Sequence, residues 1–254
     1  MHDLSATFPS IAHDSGGLPL YRVVKRSLLR AIESGACPAG EALPSEATLA
    51  ASFGVSIGTL RHAVDELVAE HILVRRQGLG TFVALHTEDR FLFQFFHVER
   101  SDGLRGAPQV ELVSFARVRI EEEEALALQV RPGDPAFQMD NRLLLQGRAV
   151  IHDRITLAAN NFKGLTERRL RERPSTIYHL YQTEFGITVT QARERARAVA
   201  ADRTSARLLG LPAGAPVLQL RRTALTFGDR PVEYRVSTVN TTQHDYVQLL
   251  SRPV

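Results

Sequence analysis

From Pro19 onward the apolar residues Tyr21, Val24, Leu28, Leu29 and Ile32 recur at steps of three and four, while Arg22, Lys25, Arg26 and Arg30 fall mostly between them. This spacing predicts an amphipathic helix that Gly35 can stop in the left-handed region. After the turn Pro38-Ala39-Gly40, Ser45 offers an N-cap, Glu46 suits the positive end of a helix, and Leu49, Ala50 and Phe53 form a short apolar stripe closed by Gly54. A third helix starts two residues later at Ser56, with Leu60, Val64, Leu67 and Val68 on its inner face. Two strand-like runs, Ile72–Val74 and Thr81–Val83, then flank the basic, glycine-tipped segment Arg75-Arg76-Gln77-Gly78-Leu79-Gly80. Residues 1–17 lack periodicity, end in Ser15-Gly16-Gly17, and read as a flexible N-terminal arm.

A helix, a tight glycine turn and a second helix is the layout of a helix-turn-helix, and the following hairpin is a wing. Ile57, Gly58, Arg61 and His62 are turned away from the apolar face, so the start of the third helix is the part that would enter a major groove. Ser56 and Thr59 bring hydroxyls to a helix start that favours phosphate, and Arg61 can reach a phosphate or a guanine edge. On the wing, Arg75 and Arg76 would track a phosphate backbone or reach the minor groove.

Past a short polar joint at residues 87–90, the second half changes character. Phe91–Phe96 is strongly β-prone, and strand-like alternation marks Val110–Ile120, Ala136–Gln146, Ala149–Leu157, Ile187–Val199, Val217–Phe227 and Val232–Val239. Helical stretches fit Glu121–Gln129, Leu165–Glu172, Ile177–Glu184 and Arg203–Leu209. The mixture predicts an antiparallel α+β domain. An internal repeat aligns Pro135 with Pro216 and Gly147 with Gly228, a common offset that also matches His152 with Glu233 and Arg154 with Arg235. Alternation puts His152 and Arg154 on one face of their strand and Asp153 on the other.

Over residues 18–86, Pro19-Leu20-Tyr21, Leu43-Pro44-Ser45-Glu46, Phe53-Gly54-Val55-Ser56, Gly58-Thr59-Leu60-Arg61 and Gly80-Thr81-Phe82-Val83 resemble the winged helix-turn-helix of the GntR family of bacterial repressors. The resemblance implies DNA contacts from Ser45, Ser56, Ile57, Gly58, Thr59, Arg61, Arg75, Arg76, Gln77, Gly78 and Thr81. Ile57 stands where the family usually has Arg, Ala47 where Arg is frequent, and His71 where Gly is usual. His is among the residues that tolerate the left-handed region at a helix end. Residues 91–254 resemble the UTRA effector domain of the HutC-type branch, with a chorismate-lyase-like fold, through the repeated Pro/Gly turns, Ser175-Thr176-Ile177-Tyr178 and Gly228–Tyr234. That likeness implies an effector site of Arg142, Asp153, Arg154, Thr176, Tyr178, Glu233 and Arg235, and a small anionic effector such as an organic acid or sugar phosphate. Leu144 and Val239 replace residues common in sugar-phosphate binders, which tilts the expectation towards an organic acid.

Composition adjusts this picture in two places. The whole chain carries +3, yet residues 1–86 hold 7 Lys+Arg against 8 Asp+Glu, a balance of −1, so local placement rather than bulk charge must attract DNA. One cysteine, Cys37, leaves no intramolecular disulfide, and no apolar run has the length of a membrane span, so a cytoplasmic location is expected. Arg168–Arg173 reads as a solvated helix face. His97, His152, His179 and His244 lack zinc-ligand spacing, and no nucleophile–base pair emerges, so neither cofactor nor metal is expected.

The reading is a ligand-responsive transcriptional regulator, a homodimeric repressor on palindromic operator DNA. Two alternatives stay open: an enzyme acting on a small organic acid through the lyase-like domain, and a ligand-independent DNA-binding dimer. Because Ile57 cannot make a bidentate guanine contact but can pack on a thymine methyl, Ile57→Arg should change base preference at one operator position. Selection from a randomised duplex library checks this, and an unaltered preferred sequence would rule it out.

Overall fold

The structure is a computed structural model that describes residues 7–11 and 17–248. The chain divides into two compact units, one reaching to Leu85 and including Tyr181–Thr190, the other holding His86–Leu180 and the remainder from Gln191.

The first unit contains α1 (Leu20–Glu33), α2 (Glu46–Phe53) and α3 (Ile57–Ala69), then β1 (Leu73–Arg76) and β2 (Gly80–Val83) in an antiparallel hairpin. Its helices exist because each has a working start or stop. Ser45 and Ser56 accept the amide N–H of Thr48 and Thr59 at 3.1 Å, while Gly54 ends α2 in the left-handed region at φ 67°. The inner faces bury Val24, Leu28, Phe53, Leu60, Val64 and Leu67 in one core, sealed by Leu73 and Val83. His71 takes φ 57°, as its residue type allows. Most of the arm, residues 1–6 and 12–16, lies outside the described residues. Within it, however, Phe8 is buried edge-on against Phe53 at 5.5 Å and Ile11 donates its N–H to the Phe53 carbonyl, so this part is docked on α2. Gln182 ties the Tyr181–Thr190 segment into the same unit, donating to the Ala84 carbonyl at 3.0 Å and Thr188 Oγ1 at 3.2 Å.

The second unit opens with α4 (Glu88–Gln94), which overturns the β-strand expected over Phe91–Phe96. Thr87 caps it, Glu88 and Asp89 suit its positive end, and the i, i+4 pair Phe91 and Phe95 buries one helical face. Local β-propensity loses here to capping and aromatic packing. β3 (Val98–Arg100) pairs later with β10 (His244–Tyr246). Between them run β4 (Gln109–Arg119), α5 (Glu122–Leu128), β5 (Pro135–Leu145), β6 (Arg148–Ala158), α6 (Glu167–Glu172), α7 (Ile177–Phe185, counted with this unit only as far as Leu180), β7 (Gln191–Ala200), α8 (Arg203–Leu209), β8 (Pro216–Leu225) and β9 (Pro231–Val239). The strand expected from Ile187 begins at Gln191.

One antiparallel sheet of order β4-β5-β6-β9-β8-β7 holds the unit together. Its halves are the two copies of the sequence repeat, α5-β5-β6 and α8-β8-β9, and each helix packs across the seam, α5 on β9 and α8 on β6. The copies are not in constant register. The left-handed turn residues are Gln146 and Gly147 in one and Gly228 and Asp229 in the other, so the second copy has gained one residue before its turn. A shift of one residue inverts a strand's faces. His152 and Glu233 therefore point to opposite faces, as do Arg154 and Arg235, and the pairing expected from the constant offset does not hold.

On one face of the sheet His152 is buried, with Nδ1 2.9 Å from Ser205 Oγ and Nε2 3.0 Å from Asp140 Oδ1. Arg154 donates to the same Asp140 oxygen at 3.0 Å and Ser114 donates to the other at 2.9 Å. Burial alone would raise the Asp140 pKa, but these hydrogen bonds outweigh it and hold the carboxyl at about 2. A carboxyl depressed in the folded state stabilises above its unfolded value near 3.9, and that contribution disappears as pH falls through about 2. Asp140→Asn should remove about 2 kcal/mol at neutral pH and flatten the loss of stability across that acid range. Denaturant titrations from pH 6 to 2 test this, and parallel curves for the two proteins would contradict it.

Candidate functional site

Two surfaces carry the residues singled out by sequence. On the first unit, Ser56, Ile57, Gly58 and Arg61 are exposed around the start of α3, with Thr59 half-buried. Ser45 and Ser56 act as caps, and their hydroxyls also bond Thr48 and Thr59 at 2.7 and 2.9 Å. A Cβ added to Gly58 would meet only Ser56 Oγ, so glycine here leaves the helix start bare rather than filling a tight contact. Glu46 organises this surface. It accepts Arg61 Nε and Nη2 at 3.0 and 2.9 Å and lies 3.5 Å from Arg75 Nη2. Arg75 Nη1 also reaches Asp65 at 2.5 Å, and the Arg76 guanidinium lies over the Phe82 ring at 4.5 Å. Gln77 and Gly78 are exposed at the hairpin tip, and Thr81 sits half-buried on β2. His62 stacks on Tyr21, rings 4.0 Å apart.

The second surface is a cavity of about 270 Å³ on the sheet face opposite His152. Asn141, Leu143, Asp153, Ile155 and Arg235 form its floor, Phe91 and Glu88 one side, and Arg173, Ser175, Thr176 and Ile177 another. Strand register decides membership. Asn141 pairs with Asp153, and Asp153 with Ser237, which brings these three to the cavity face. Arg142 and Arg154 stand one residue away from floor residues and point to the opposite face, where Arg142 pairs with Glu111 at 2.6 Å and Arg154 with Asp140. Neither lines the cavity.

Beneath it, Arg235 is clamped between two carboxylates. Nη1 donates to Asp153 at 2.9 Å, while Nε and Nη2 donate to Glu233 at 2.9 and 3.1 Å. Ser237 adds a bond to the other Asp153 oxygen and the Tyr178 hydroxyl donates to Glu233 at 3.1 Å. All of these groups are buried. Burial opposes the Arg235 charge, but Glu233 and Asp153 outweigh it and push the guanidinium well above its ordinary value. Burial, then Glu233, raises the Tyr178 hydroxyl too, keeping it a donor. Of the predicted effector residues, Asp153, Thr176 and Arg235 line the cavity; Tyr178 and Glu233 lie behind Arg235 and fix its position.

Residues 20–83 match the model of bacterial regulatory proteins of the gntR family, and residues 104–245 match the UTRA domain. The histidine utilization repressor of Pseudomonas aeruginosa is 31% identical over 80% of this chain and 80% of its own. This chain belongs to the GntR family. In Bacillus subtilis, the transcriptional repressor NagR is 26% identical over 92% of this chain and 96% of its own. Among solved structures, the ligand-binding domain of a GntR-family regulator from Bordetella bronchiseptica superposes with TM-score 0.59 at 31% identity, covering 63% of this chain and 99% of that domain. A GntR-family chain with a UTRA domain is a regulator of the HutC type and not an enzyme.

Three GntR-chain residues escaped the sequence reading. Glu46 reads as a helix-start charge, and nothing local reveals its reach to α3 and the wing. Asn141 is hidden by a one-residue uncertainty of strand register. Arg173 sits in a run that looks like a solvated face, and α6 does carry such pairs, Arg171–Glu167 and Arg168–Glu172. The signal for Arg173 was Pro174, which forces the preceding residue out of the helix, here to φ −59°, ψ 134°. Replacing Glu233 with Gln leaves buried Arg235 with one charged partner, and should cost about 3 kcal/mol of stability. An unchanged urea midpoint would mean that Asp153 alone satisfies the guanidinium.

Proposed function

We propose that this GntR-family protein is a transcriptional repressor whose grip on DNA is released by a small carboxylate-bearing metabolite bound in the 270 Å³ cavity. The observation carrying the effector half is the cavity itself: a small volume with an apolar floor of Leu143 and Ile155, an aromatic side in Phe91, and Arg173, Ser175 and Thr176 at one end beside the start of α7. Guanidinium, hydroxyls and a helix N-terminus together suit one carboxylate. Leu143 and Ile155 leave little to satisfy the many hydroxyls of a sugar, and the likeness to a histidine utilization repressor supports the same direction. Asp153, Thr176 and Arg235 are the contacts carried forward from sequence; Arg173 and Asn141 join them, and Arg142 and Arg154 leave.

For the DNA half, the exposed start of α3 supports direct readout through Ile57 and Arg61, with Ser45, Ser56, Thr59, Gln77 and Thr81 as candidates for phosphate contacts. A cytoplasmic homodimer on half-sites about one helical turn apart is the form in which such a head gains specificity. Among the described residues no helix is long and apolar enough to cross a membrane. An effector coupling of about 1–3 kcal/mol would weaken operator binding by roughly 5- to 150-fold.

A thermal-shift screen of small organic acids and sugar phosphates on the intact protein tests the effector half. The expected result is a carboxylate that raises the melting temperature and releases protein from a duplex selected out of a random library. Arg173→Ala should abolish the shift and Arg142→Ala should preserve it. If sugar phosphates alone give the shift, or if Arg142 proves essential, the assignment fails.

A further inference from the structure

The wing of the first unit ends in a charge-free tip. β1 and β2 close at the pair Arg76–Gly80, leaving Gln77, Gly78 and Leu79 as the loop, with Leu79 N–H bonded to the Arg76 carbonyl at 3.0 Å. The two arginines that make the segment look basic are both drawn back from it: Arg75 is held by Asp65 and faces Glu46, and Arg76 lies on the Phe82 ring. Leu79 is what projects, 71% exposed, more than Ile57 at 46%. A lone exposed leucine on a protein surface needs no explanation. This one is held out between Gly78 (φ 72°) and Gly80 (φ 113°), and a Cβ at either glycine would meet nothing within 4 Å. The glycines serve backbone conformation rather than internal packing, and they leave the tip one side chain wide.

A minor groove about 6 Å wide admits such a tip and little more. Apolar side chains inserted there partly unstack a base step, at a cost of a few kcal/mol that is lowest at flexible pyrimidine–purine steps. We propose that Leu79 is an apolar wedge that enters the minor groove beside each half-site and makes the head prefer TA or CA/TG steps at a position none of its polar side chains reads. The inference rests on the α3 face and wing being the DNA-contacting surface, and the experiment separates the two.

Full-length protein is used to select a duplex from a randomised library, and variants are then titrated against it over a range of salt concentrations. Leu79→Ala should lose about 10-fold in affinity, the worth of burying much of a leucine side chain. Its salt dependence should match the parent, since no phosphate contact is removed. The loss should shrink when the flanking pyrimidine–purine step is replaced by an A-tract, and 2-aminopurine at that step should brighten on binding the parent but not Leu79→Ala. Leu79→Lys should fail to restore the step preference even where it restores affinity. Arg61→Ala is the control for the underlying surface, and should weaken binding and reduce the salt slope by about 1. If Arg61→Ala binds like the parent, the assigned surface and the wedge fall together. Should Arg61→Ala weaken binding while Leu79→Ala keeps the parent's affinity and flank preference, the wedge alone is overturned; a Leu79→Ala effect confined to self-association would overturn it as well.

Discussion

Arg235 is the charge around which the second unit is organised. It lies on β9, at the seam where the two half-sheets meet through β6 and β9, and its guanidinium is held by Asp153 from β6 and Glu233 from β9 itself. Three buried charges are expensive to desolvate, and the cost is offset only because nearly every donor and acceptor is paired, down to the Ser237 and Tyr178 hydroxyls. An arrangement that tolerates no missing partner fixes β6–β9 register and the attitude of Tyr178 at the start of α7. The cavity floor inherits that rigidity. Asp153 and Arg235, which line the cavity, are thus side chains already locked by a second layer, the condition for precise recognition.

The first unit solves an analogous problem with two carboxylates, Glu46 and Asp65. Its overall charge is slightly acidic, yet a GntR-family head binds a polyanion. Glu46 reconciles the two facts, since one side chain at the start of α2 reaches both Arg61 on α3 and Arg75 on the wing. Exposed pairs of this kind contribute little to stability. Their value lies in geometry: they hold long cationic side chains of α3 and the wing in place. The same contacts draw positive charge away from the wing tip and leave Leu79 foremost.

Much of the architecture was legible in the chain because its signals are local. Caps at Ser45 and Ser56, the glycine stop at Gly54, three-and-four spacing in α1 and α3, and two-residue alternation in β4, β5, β6, β8 and β9 each act over a few residues and survive into the fold. Phe91–Phe96 failed because a capped acidic turn and a buried aromatic pair outweighed β-propensity. Phe8 and Ile11 failed because residues 1–17, with no periodicity, gave no hint that α2 offers them a surface. Of the residues expected at an effector site, Asp153, Thr176 and Arg235 line the cavity and Arg142 and Arg154 point to the other face, while Arg173 and Asn141, which also line it, carry no local signal of their place beyond the Pro174 that follows Arg173.

Family, the element order of the winged helix-turn-helix, the exposed face at the start of α3 and the α+β character of the second half were therefore determined by sequence alone, since each depends on periodicity, capping and motif spacing within short windows. Which side chains meet in the cavity was decided only by tertiary structure. One inserted residue ahead of the Gly228–Asp229 turn offsets the second copy of the repeat, and bulges at Leu112/Ser114 and Leu143/Leu144 adjust strand pairing further. In a sheet whose faces alternate every residue, such single-residue shifts exchange inside for outside, and no local pattern records them.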